Sequence, residues 1–365
     1  MIRCLIPIIL LLSPLCAAEY GITDNSITLG MSNALSGPSE QLGQHIKQGS
    51  QLYFDEVNRK GGVFGRKIQV ISLDDGYEPI RTVENTRLLL LQKDIFALFG
   101  YVGTPTSHAI LPLLESSKVP YLMPFTGAAF LRTPTRPTIY NLRASYQQEA
   151  VAQIHYLVNS RKYTKIGLLI QADEFGLALE EALHTALAEH KLTPVITTRF
   201  RRNTSDIKAA LLVLEQHDLE AVSLVGTYKP LSELINLGFE HQFKPTFATV
   251  SFASSKELFK HIKYPSDIIV SEVVPNPSTC QLEICFEFRA LAKAQGMTEY
   301  NQVSFEGFIN AKVFIETASS CGRQLNQTCL LNKLTSLSGD FYGLEINSDK
   351  SDHQGLKHVY MSFSH

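Results

Sequence analysis

Residues 95–107 read IFALFGYVGTPTS, which places a buried strand directly before a turn rich in glycine and hydroxyl groups. The apolar half has the length and composition of a strand covered on both faces. The second half leads into a helix that we expect to begin near His108. A strand followed by a turn and a helix is the repeating unit of parallel α/β sheets. The run therefore predicts an open sheet whose functional loops lie beyond the carboxyl ends of its strands.

The same unit recurs on both sides of this run. Strands are predicted over residues 27–31, 68–73 and 121–123, with helices over residues 43–60, 79–93 and 108–116. The alternation restarts after Arg143 and continues to residue 270. Because 365 residues are many for one core and sufficient for two, the chain is predicted to form two Rossmann-like α/β lobes with parallel sheets.

The composition is that of an ordinary globular protein. Hydrophobic residues make up 44% of the chain and charged residues 19%, which excludes a disordered chain. The formal net charge is -2 and no basic stripe is present, so no nucleic-acid partner is expected. The local positive cluster at Arg199, Arg201 and Arg202 is interpreted as solvated surface.

The first residues have the features of an export signal. Arg3 provides the positive charge, residues 5–12 form a short apolar core, and a small-residue cleavage site ends at Ala18. We therefore expect cleavage after Ala18 and a periplasmic protein. The alternative is a lipid anchor on Cys16, which is disfavoured because the preceding residue is Leu15.

Four cysteines follow the signal, and an exported compartment permits disulfides. Their short separations favour the bridges Cys280–Cys285 and Cys321–Cys329, although three connectivities are open. No CxxC pair or histidine at ligand spacing accompanies them, so no metal site is expected.

The usual catalytic motifs are absent from the sequence: GxSxG, the P-loop, HExxH and GxGxxG. Asp74 and Asp75 are adjacent at a strand end and point to opposite sides, so a joint acid–base site is not expected. We expect no enzymatic activity and no cofactor.

Two loops are candidates for ligand binding. Residues 100–107 and 124–128 each follow a predicted strand and combine glycines with hydroxyl groups, so together they could hold a small carboxylate. The alternative is that Thr104, Thr106 and Ser107 only cap a helix.

Several segments, in this order and spacing, resemble type I periplasmic binding proteins, in particular the leucine/isoleucine/valine-binding proteins of ABC importers. The matching segments are residues 27–37, 58–63, 74–75, 100–107, 124–128, 141–146, 174–176 and 352–360. The resemblance covers nearly the whole chain after the signal.

The resemblance implies a clamshell of two lobes joined by a three-strand hinge, with crossings near Ser145, Pro275 and Gly343. Lobe 1 would comprise residues 19–144 and 275–342, and lobe 2 residues 145–274 and 343–365. It also implies a monomer that delivers its ligand to an ABC permease. The alternative partner is a membrane sensor or chemoreceptor, because lobe closure creates a new surface that a partner can recognise.

The resemblance also implies a set of ligand-binding residues. The Thr104 loop and the backbone around Phe125 would hold a carboxylate, and aromatic side chains from lobe 2 would close over it. The expected site residues are Tyr101, Thr104, Thr106, Phe125, Thr126, Gly127, Tyr146, Phe175, Tyr228 and Ser251.

Two positions depart from the amino-acid binders. Ser251 stands where those proteins carry the acid that pairs the ligand's α-ammonium, and Leu42 stands where an aromatic residue often lies. An unpaired ammonium in a closed cleft would cost several kcal/mol. Both an amino acid and an ammonium-free acid, such as a small or aromatic carboxylate, are therefore candidate ligands.

Overall fold

The structure is a computed structural model that describes residues 20–204 and 206–364. The predicted signal peptide, including Cys16 and the cleavage site at Ala18, lies outside the described residues. Within the described residues, no helix is long and apolar enough to cross a membrane.

Strands and helices alternate along most of the chain. The strands are β1 (Ser26–Asn33), β2 (Lys67–Asp74), β3 (Ala97–Phe99), β4 (Tyr121–Leu122), β5 (Ile139–Tyr140), β6 (Ile166–Gln171), β7 (Thr197–Phe200), β8 (Ala221–Val225), β9 (Thr246–Val250), β10 (Ile268–Glu272), β11 (Ser338–Phe341), β12 (Leu344–Asn347) and β13 (Tyr360–Phe363). The α-helices are α1 (Glu40–Arg59), α2 (Pro79–Gln92), α3 (Thr104–Ala109), α4 (Leu111–Ser117), α5 (Tyr146–His155), α6 (Glu174–Glu189), α7 (Lys208–Leu214), α8 (Tyr228–Glu240), α9 (Ser255–His261), α10 (Glu283–Ala294), α11 (Gln302–Ser320) and α12 (Gln327–Leu334).

The strands of the described chain form one main sheet in each lobe. The sheet of lobe 1 has the order β2-β1-β3-β4-β5, and every pair in it is parallel. The sheet of lobe 2 has the order β13-β10-β9-β8-β6-β7, parallel except for β13, which pairs antiparallel with β10. The two-lobed α/β fold predicted from the sequence is confirmed.

Lobe 1 is completed by a helix from late in the chain. Helix α11 packs along α1, and two glycines let the backbones touch. A Cβ atom on Gly49 would lie 1.7 Å from the carbonyl oxygen of Ser304, and one on Gly307 would lie 2.2 Å from that of Ile46. Larger residues at either position would force the helices apart.

The apolar cores of the two lobes meet. The core cluster of lobe 2 includes side chains of lobe 1, and four large ones among them are Leu42, Tyr77, Val102 and Phe125. Each of the four is at most 1% exposed. Because these side chains lie on the face that lobe 1 turns toward lobe 2, the structure shows the lobes closed on each other.

The third crossing lies later in the chain than the expected position near Gly343. Gly343, with φ of 91°, forms the turn of the β11–β12 hairpin. Leu344 and Ile346 belong to the lobe 1 core, and Gln354 forms a β-bridge with Asn141. The chain therefore stays with lobe 1 until about residue 356, and of the described elements only β13 returns to lobe 2. The expected boundary at residues 342/343 is wrong, because a hairpin turn was interpreted as a linker.

The predicted helix over residues 108–116 is divided in two. Helix α3 starts four residues earlier, at Thr104, and the chain breaks at Ile110 before α4. Pro112 is in the first turn of α4, where its missing N–H would have no helical partner.

Both disulfides form in the pairing that the short separations favoured. Cys280 is bonded to Cys285 and Cys321 to Cys329, with S–S distances of 1.98 and 2.01 Å. The first bridge links Cys280, which lies before α10, to Cys285 within that helix. The second bridge joins the end of α11 to α12.

Candidate functional site

Five aromatic rings meet where the carboxyl ends of the two sheets face each other. We call Tyr77, Phe125, Tyr146, Phe175 and Phe252 the aromatic cluster. The Phe252 ring centroid lies 4.7 Å from that of Phe175, 5.5 Å from Phe125 and 5.9 Å from Tyr77. The rings of Tyr146 and Phe175 are 5.4 Å apart. Phe252 extends from lobe 2 to rings of lobe 1, so the cluster exists as a unit only when the lobes are closed.

Two members of the cluster, Phe252 and Tyr77, were not predicted from the sequence. Phe252 follows β9 directly, next to Ser251, and Tyr77 follows the Asp74-Asp75 pair after β2. Their position immediately beyond the carboxyl end of a strand could have identified both residues as candidates for the site. Nothing in the local sequence distinguishes them from ordinary core aromatics.

Asp74 and Asp75 have structural roles at this edge of lobe 1. Asp75 accepts hydrogen bonds from the Tyr77 backbone N–H and from the Ser32 hydroxyl, both at 2.8 Å. Asp74 accepts from the backbone N–H of Leu35 at 2.9 Å. Tyr77 has φ of 64°, which is uncommon for a side chain of this size, so Asp75 holds it in that conformation.

Three hydroxyl groups lie at the base of the cluster. The Oγ1 atom of Thr104 is 2.7 Å from that of Thr126 and 3.2 Å from the Tyr146 hydroxyl, which in turn is 3.4 Å from Thr126. We call them the hydroxyl triad; all three side chains are buried. The triad joins both candidate loops to the first residue of α5, so the structure brings these three predicted residues together.

Gly127 allows the close approach of its loop to α5. Its carbonyl accepts the Tyr146 backbone N–H at 2.8 Å, and a Cβ atom on Gly127 would lie 2.5 Å from the Tyr146 ring. A larger residue here would push Tyr146 away from the triad.

The structure does not bring Tyr101 or Thr106 to the cluster. The Tyr101 ring packs on Tyr121 at 5.3 Å, in the lobe 1 core. The Thr106 hydroxyl donates to the carbonyl of Val102 at 2.6 Å, inside its own turn. Thr106 lies inside α3, whose N-cap residue is Gly103, so the capping alternative does not describe Thr106 either.

Tyr228 lies in lobe 2, near the backbone of lobe 1. It is the first residue of α8 and fully buried, with its ring 5.4 Å from that of His261. The backbone of Gln41 in lobe 1 lies next to its hydroxyl. Tyr228 thus contacts the junction between the lobes.

The polar atoms of Ser251 are used by neighbouring charged groups. Its backbone N–H donates to Glu149 Oε2 at 2.8 Å, and its hydroxyl donates to Glu149 Oε1 at 3.0 Å. Arg143 Nη2 donates to the same hydroxyl oxygen. Ser251 therefore bridges a buried carboxylate and a buried guanidinium.

Arg143 is the centre of a buried charge cluster beneath the aromatic rings. Its guanidinium carbon lies 4.3 Å from the centroid of the Phe125 ring, a cation–π contact. Glu149 and Glu306 each approach it to 3.7 Å. Burial raises the pKa of Glu306 to about 7 and that of nearby Glu272 to about 8. At neutral pH Glu272 is therefore mostly protonated.

Arg132 connects the candidate loop at residues 124–128 to the hinge. It is 5% exposed and donates to the side-chain oxygen of Gln354 at 2.7 Å, to the Ala128 carbonyl at 2.9 Å and to the Arg143 carbonyl at 3.1 Å. Burial, together with the like charge of Arg143, lowers the pKa of Arg132 to about 9. A second largely buried cation thus lies behind the loop that carries Thr126.

A polar contact closes the outer side of the cleft. Arg202 Nη2 and Asn203 Nδ2 donate to the two carboxylate oxygens of Glu78, at 2.7 and 2.5 Å, and Arg202 Nη1 donates to the Tyr77 carbonyl at 2.6 Å. We call this the Glu78 latch.

The interpretation of the arginine cluster as solvated surface is wrong for Arg202, because its side chain bonds to the other lobe. Arg199 is largely exposed and pairs within lobe 2, with Glu180.

The family of the chain follows from a comparison over its length. A model of the family described as periplasmic binding protein matches residues 26–362. The chain belongs to this family. Its relatives include Leu/Ile/Val-binding proteins, so the type I periplasmic binding protein fold expected from the resemblance is confirmed.

Individual relatives of this periplasmic binding protein are distant in sequence. Leu/Ile/Val-binding protein homolog 7 of Brucella abortus is 23% identical over 315 residues, 80% of this chain and 76% of that protein. Leu/Ile/Val-binding protein BraC3 of Rhizobium johnstonii is 24% identical over 212 residues, and the match spans 57% of this chain and 56% of that protein.

Solved structures match nearly the whole chain. A possible leucine/isoleucine/valine-binding protein from Rhodopirellula baltica is 30% identical, with a TM-score of 0.87 and coverage of 94% of this chain and 95% of that one. A branched-chain amino acid ABC transporter protein from Thermus thermophilus with bound valine is 18% identical, with a TM-score of 0.84 and 94% coverage of each chain. The second likeness shows the fold alone. Periplasmic binding proteins are a family of binding proteins and not of enzymes.

Proposed function

We propose that this chain is the periplasmic solute-binding protein of an ABC importer, which captures a small polar ligand between its lobes. The ligand class is an amino acid or a small carboxylate. The supporting observation is that the hydroxyl triad and the aromatic cluster, built from both lobes, meet at the carboxyl ends of the two sheets. The protein is exported through a cleaved signal peptide and acts as a monomer that delivers its ligand to a permease.

The proposed site consists of residues that the closed lobes bring together. Thr104, Thr126 and the backbone at Gly127 hold the ligand's anionic end, and the aromatic rings enclose its apolar part. Tyr228 and Ser251 form the adjoining lobe 2 wall. Tyr101 and Thr106 support the loop without touching the ligand.

The mechanism is hinge closure. The ligand docks on the lobe 1 loops, which are hydrogen-bonded to each other through the Gly103 N–H and the Phe125 carbonyl at 3.2 Å. Lobe 2 then brings Phe175 and Phe252 over it, and the Glu78 latch forms. A ligand shifts the balance between open and closed forms only by its differential affinity for them, so contacts from both lobes are needed.

The test is a thermal-shift screen of the protein from residue 19 onward against amino acids and small carboxylates. A ligand at 100 times its Kd stabilises the folded state by about 2.7 kcal/mol, which raises the melting temperature. Thr104→Val removes one triad hydroxyl at nearly constant volume and is expected to weaken binding of each hit. Thr185→Val, on the exposed face of α6, is the matched control. Absence of any shift across the screen contradicts the proposed function.

A further inference from the structure

We infer that the ligand is a carboxylate with a flat, apolar body and no ammonium group, that Ser251 disfavours α-amino acids, and that Phe252 favours the flat body. This inference rests on the proposed function and specifies its ligand class. Three observations carry it: Glu149 and Asp173 are already hydrogen-bonded, a buried guanidinium next to the cluster has an unused donor, and the walls are aromatic.

Two carboxylates beside the cluster, Glu149 and Asp173, are already bound by neighbouring groups. Glu149 accepts two bonds from Ser251 and a third from the Ser271 hydroxyl at 3.1 Å, and it pairs with Arg143. Asp173 accepts the backbone N–H groups of Phe175 and Gly176 at 3.0 and 3.1 Å, as the cap of α6. An ammonium group bound at either carboxylate would have to break its existing hydrogen bonds, and a buried ammonium without an anionic partner is strongly disfavoured.

Donors, in contrast, are available to an anion. Arg143 Nη1 is buried and has no hydrogen-bond partner within the described part of the chain. The guanidinium packs on the Phe125 ring, next to the loop that carries Thr126. The described hydrogen bonds of Arg132 all go to neutral oxygens, so its charge adds to the positive potential at this loop. Charge-assisted bonds to a carboxylate are stronger than bonds between neutral groups.

The aromatic walls favour a flat apolar body. In the closed structure the Phe252 ring packs between Phe175 of its own lobe and Phe125 of lobe 1. Opening of the lobes separates Phe252 from Phe125, because the two residues belong to different lobes. The slot that opens has aromatic rings on both sides, and aromatic groups pack well at ring-centroid distances of about 4.5–7 Å.

The experiment uses pairs of probes that differ only in the ammonium group. L-phenylalanine is compared with 3-phenylpropanoate, and L-leucine with 4-methylpentanoate, by isothermal titration calorimetry at pH 7. We expect 3-phenylpropanoate to bind at least 30-fold more tightly than L-phenylalanine, and more tightly than 4-methylpentanoate. Equal or tighter binding of the amino acids overturns this inference and leaves the proposed function intact. If none of the four probes binds at 10 mM, the inference is overturned; the proposed function fails only if the broader screen is also negative.

A variant pair tests the role of Phe252. Phe252→Leu is expected to reduce the preference for 3-phenylpropanoate over 4-methylpentanoate at least fivefold. Phe247→Leu, on the preceding strand, is the control, because Phe247 is equally buried but packs on Phe243 away from the cluster. The same preference in Phe252→Leu as in the unchanged protein would remove Phe252 from ligand selection. Melting temperatures of the ligand-free variants establish that both are folded.

Discussion

Several buried carboxylates in this protein lie close to one another around a single arginine. Glu149, Glu272 and Glu306 all surround Arg143, yet they come from α5, β10 and α11. Each position looks like an ordinary helix or strand residue in the sequence, so their meeting was not predicted. Ser251 was identified because its residue type departs from the resembled proteins, whereas Phe252 was not, because an aromatic residue after a buried strand is equally typical of a core.

Glu272 is expected to make stability depend on pH. Burial raises its folded-state pKa to about 8 from an ordinary value of 4.5, so the folded chain binds its proton more tightly than the unfolded chain. The free energy of unfolding should therefore fall as the pH rises from about 4.5 to about 8, by up to about 1.4 kcal/mol per pH unit from this group. Glu272→Gln stays neutral and should flatten this slope in urea titrations at pH 5 to 8.

An exposed carboxylate provides the control for that measurement. Glu189→Gln, at the end of α6, should leave the slope unchanged. A slope that is identical in Glu272→Gln and the unchanged protein would show that Glu272 does not carry the dependence.

At the level of elements, buried strands were predicted well and short elements poorly. Strand β3 (Ala97–Phe99) lies in the apolar run predicted as a buried strand, because a run buried on both faces leaves a continuous apolar signal. Strand β5 has only two residues and α9 only seven, so neither provides enough periodicity to be recognised. The division between α3 and α4 was missed because Pro112 was not interpreted as the first turn of a new helix.

The start of α6 is expected to depend on its cap. Asp173→Ala removes the acceptor for the backbone N–H groups of Phe175 and Gly176, which should cost about 1 kcal/mol of unfolding free energy. It should also weaken ligand binding, since Phe175 is the second residue of the helix. Asp173→Asn keeps a capping oxygen and serves as the control. Equal unfolding free energies for the alanine and asparagine variants, measured in urea, would contradict the capping role.

The bridge between α11 and α12 should contribute to the stability of lobe 1. The bridge joins residues with a sequence separation of 8. Closing this loop lowers the entropy of the unfolded chain, which stabilises the folded state by about 2–3 kcal/mol. The double variant Cys321→Ser/Cys329→Ser should lower the unfolding free energy by that amount and leave ligand affinity nearly unchanged, because the bridge is remote from the cleft loops. Reducing agent should lower the midpoint of the unchanged protein and have a smaller effect on the variant, which retains Cys280–Cys285.

For the whole molecule, the two lobes were predicted from chain length and from the restart of the α/β pattern after Arg143. The closed arrangement was not, because it depends on contacts between residues more than 100 positions apart, such as Glu78 with Arg202. The position of the third crossing was not predicted either, because the residues around Gly343 have the composition of both a hairpin turn and a linker between lobes.

The Glu78 latch is expected to bias the protein toward closure. Glu78→Gln removes the charge that Arg202 pairs with, and partly exposed ion pairs contribute about 0.2–1 kcal/mol. The open fraction should rise by up to about fivefold, seen as a larger radius of gyration in X-ray scattering and a faster ligand off-rate. Glu180→Gln breaks the Arg199 pair inside lobe 2 and should change neither quantity. Identical scattering of the Glu78 variant and the unchanged protein would exclude a role of the latch in closure.

The late third crossing has a consequence for the order in which the chain can fold during its synthesis. The first lobe lacks α11 and the hairpin until residue 347 has emerged, and the second lobe lacks its edge strand until about residue 363. Neither lobe can complete its core from an amino-terminal fragment. Such a nascent polypeptide stays incompletely packed until the last strand is released, a state compatible with the export proposed above.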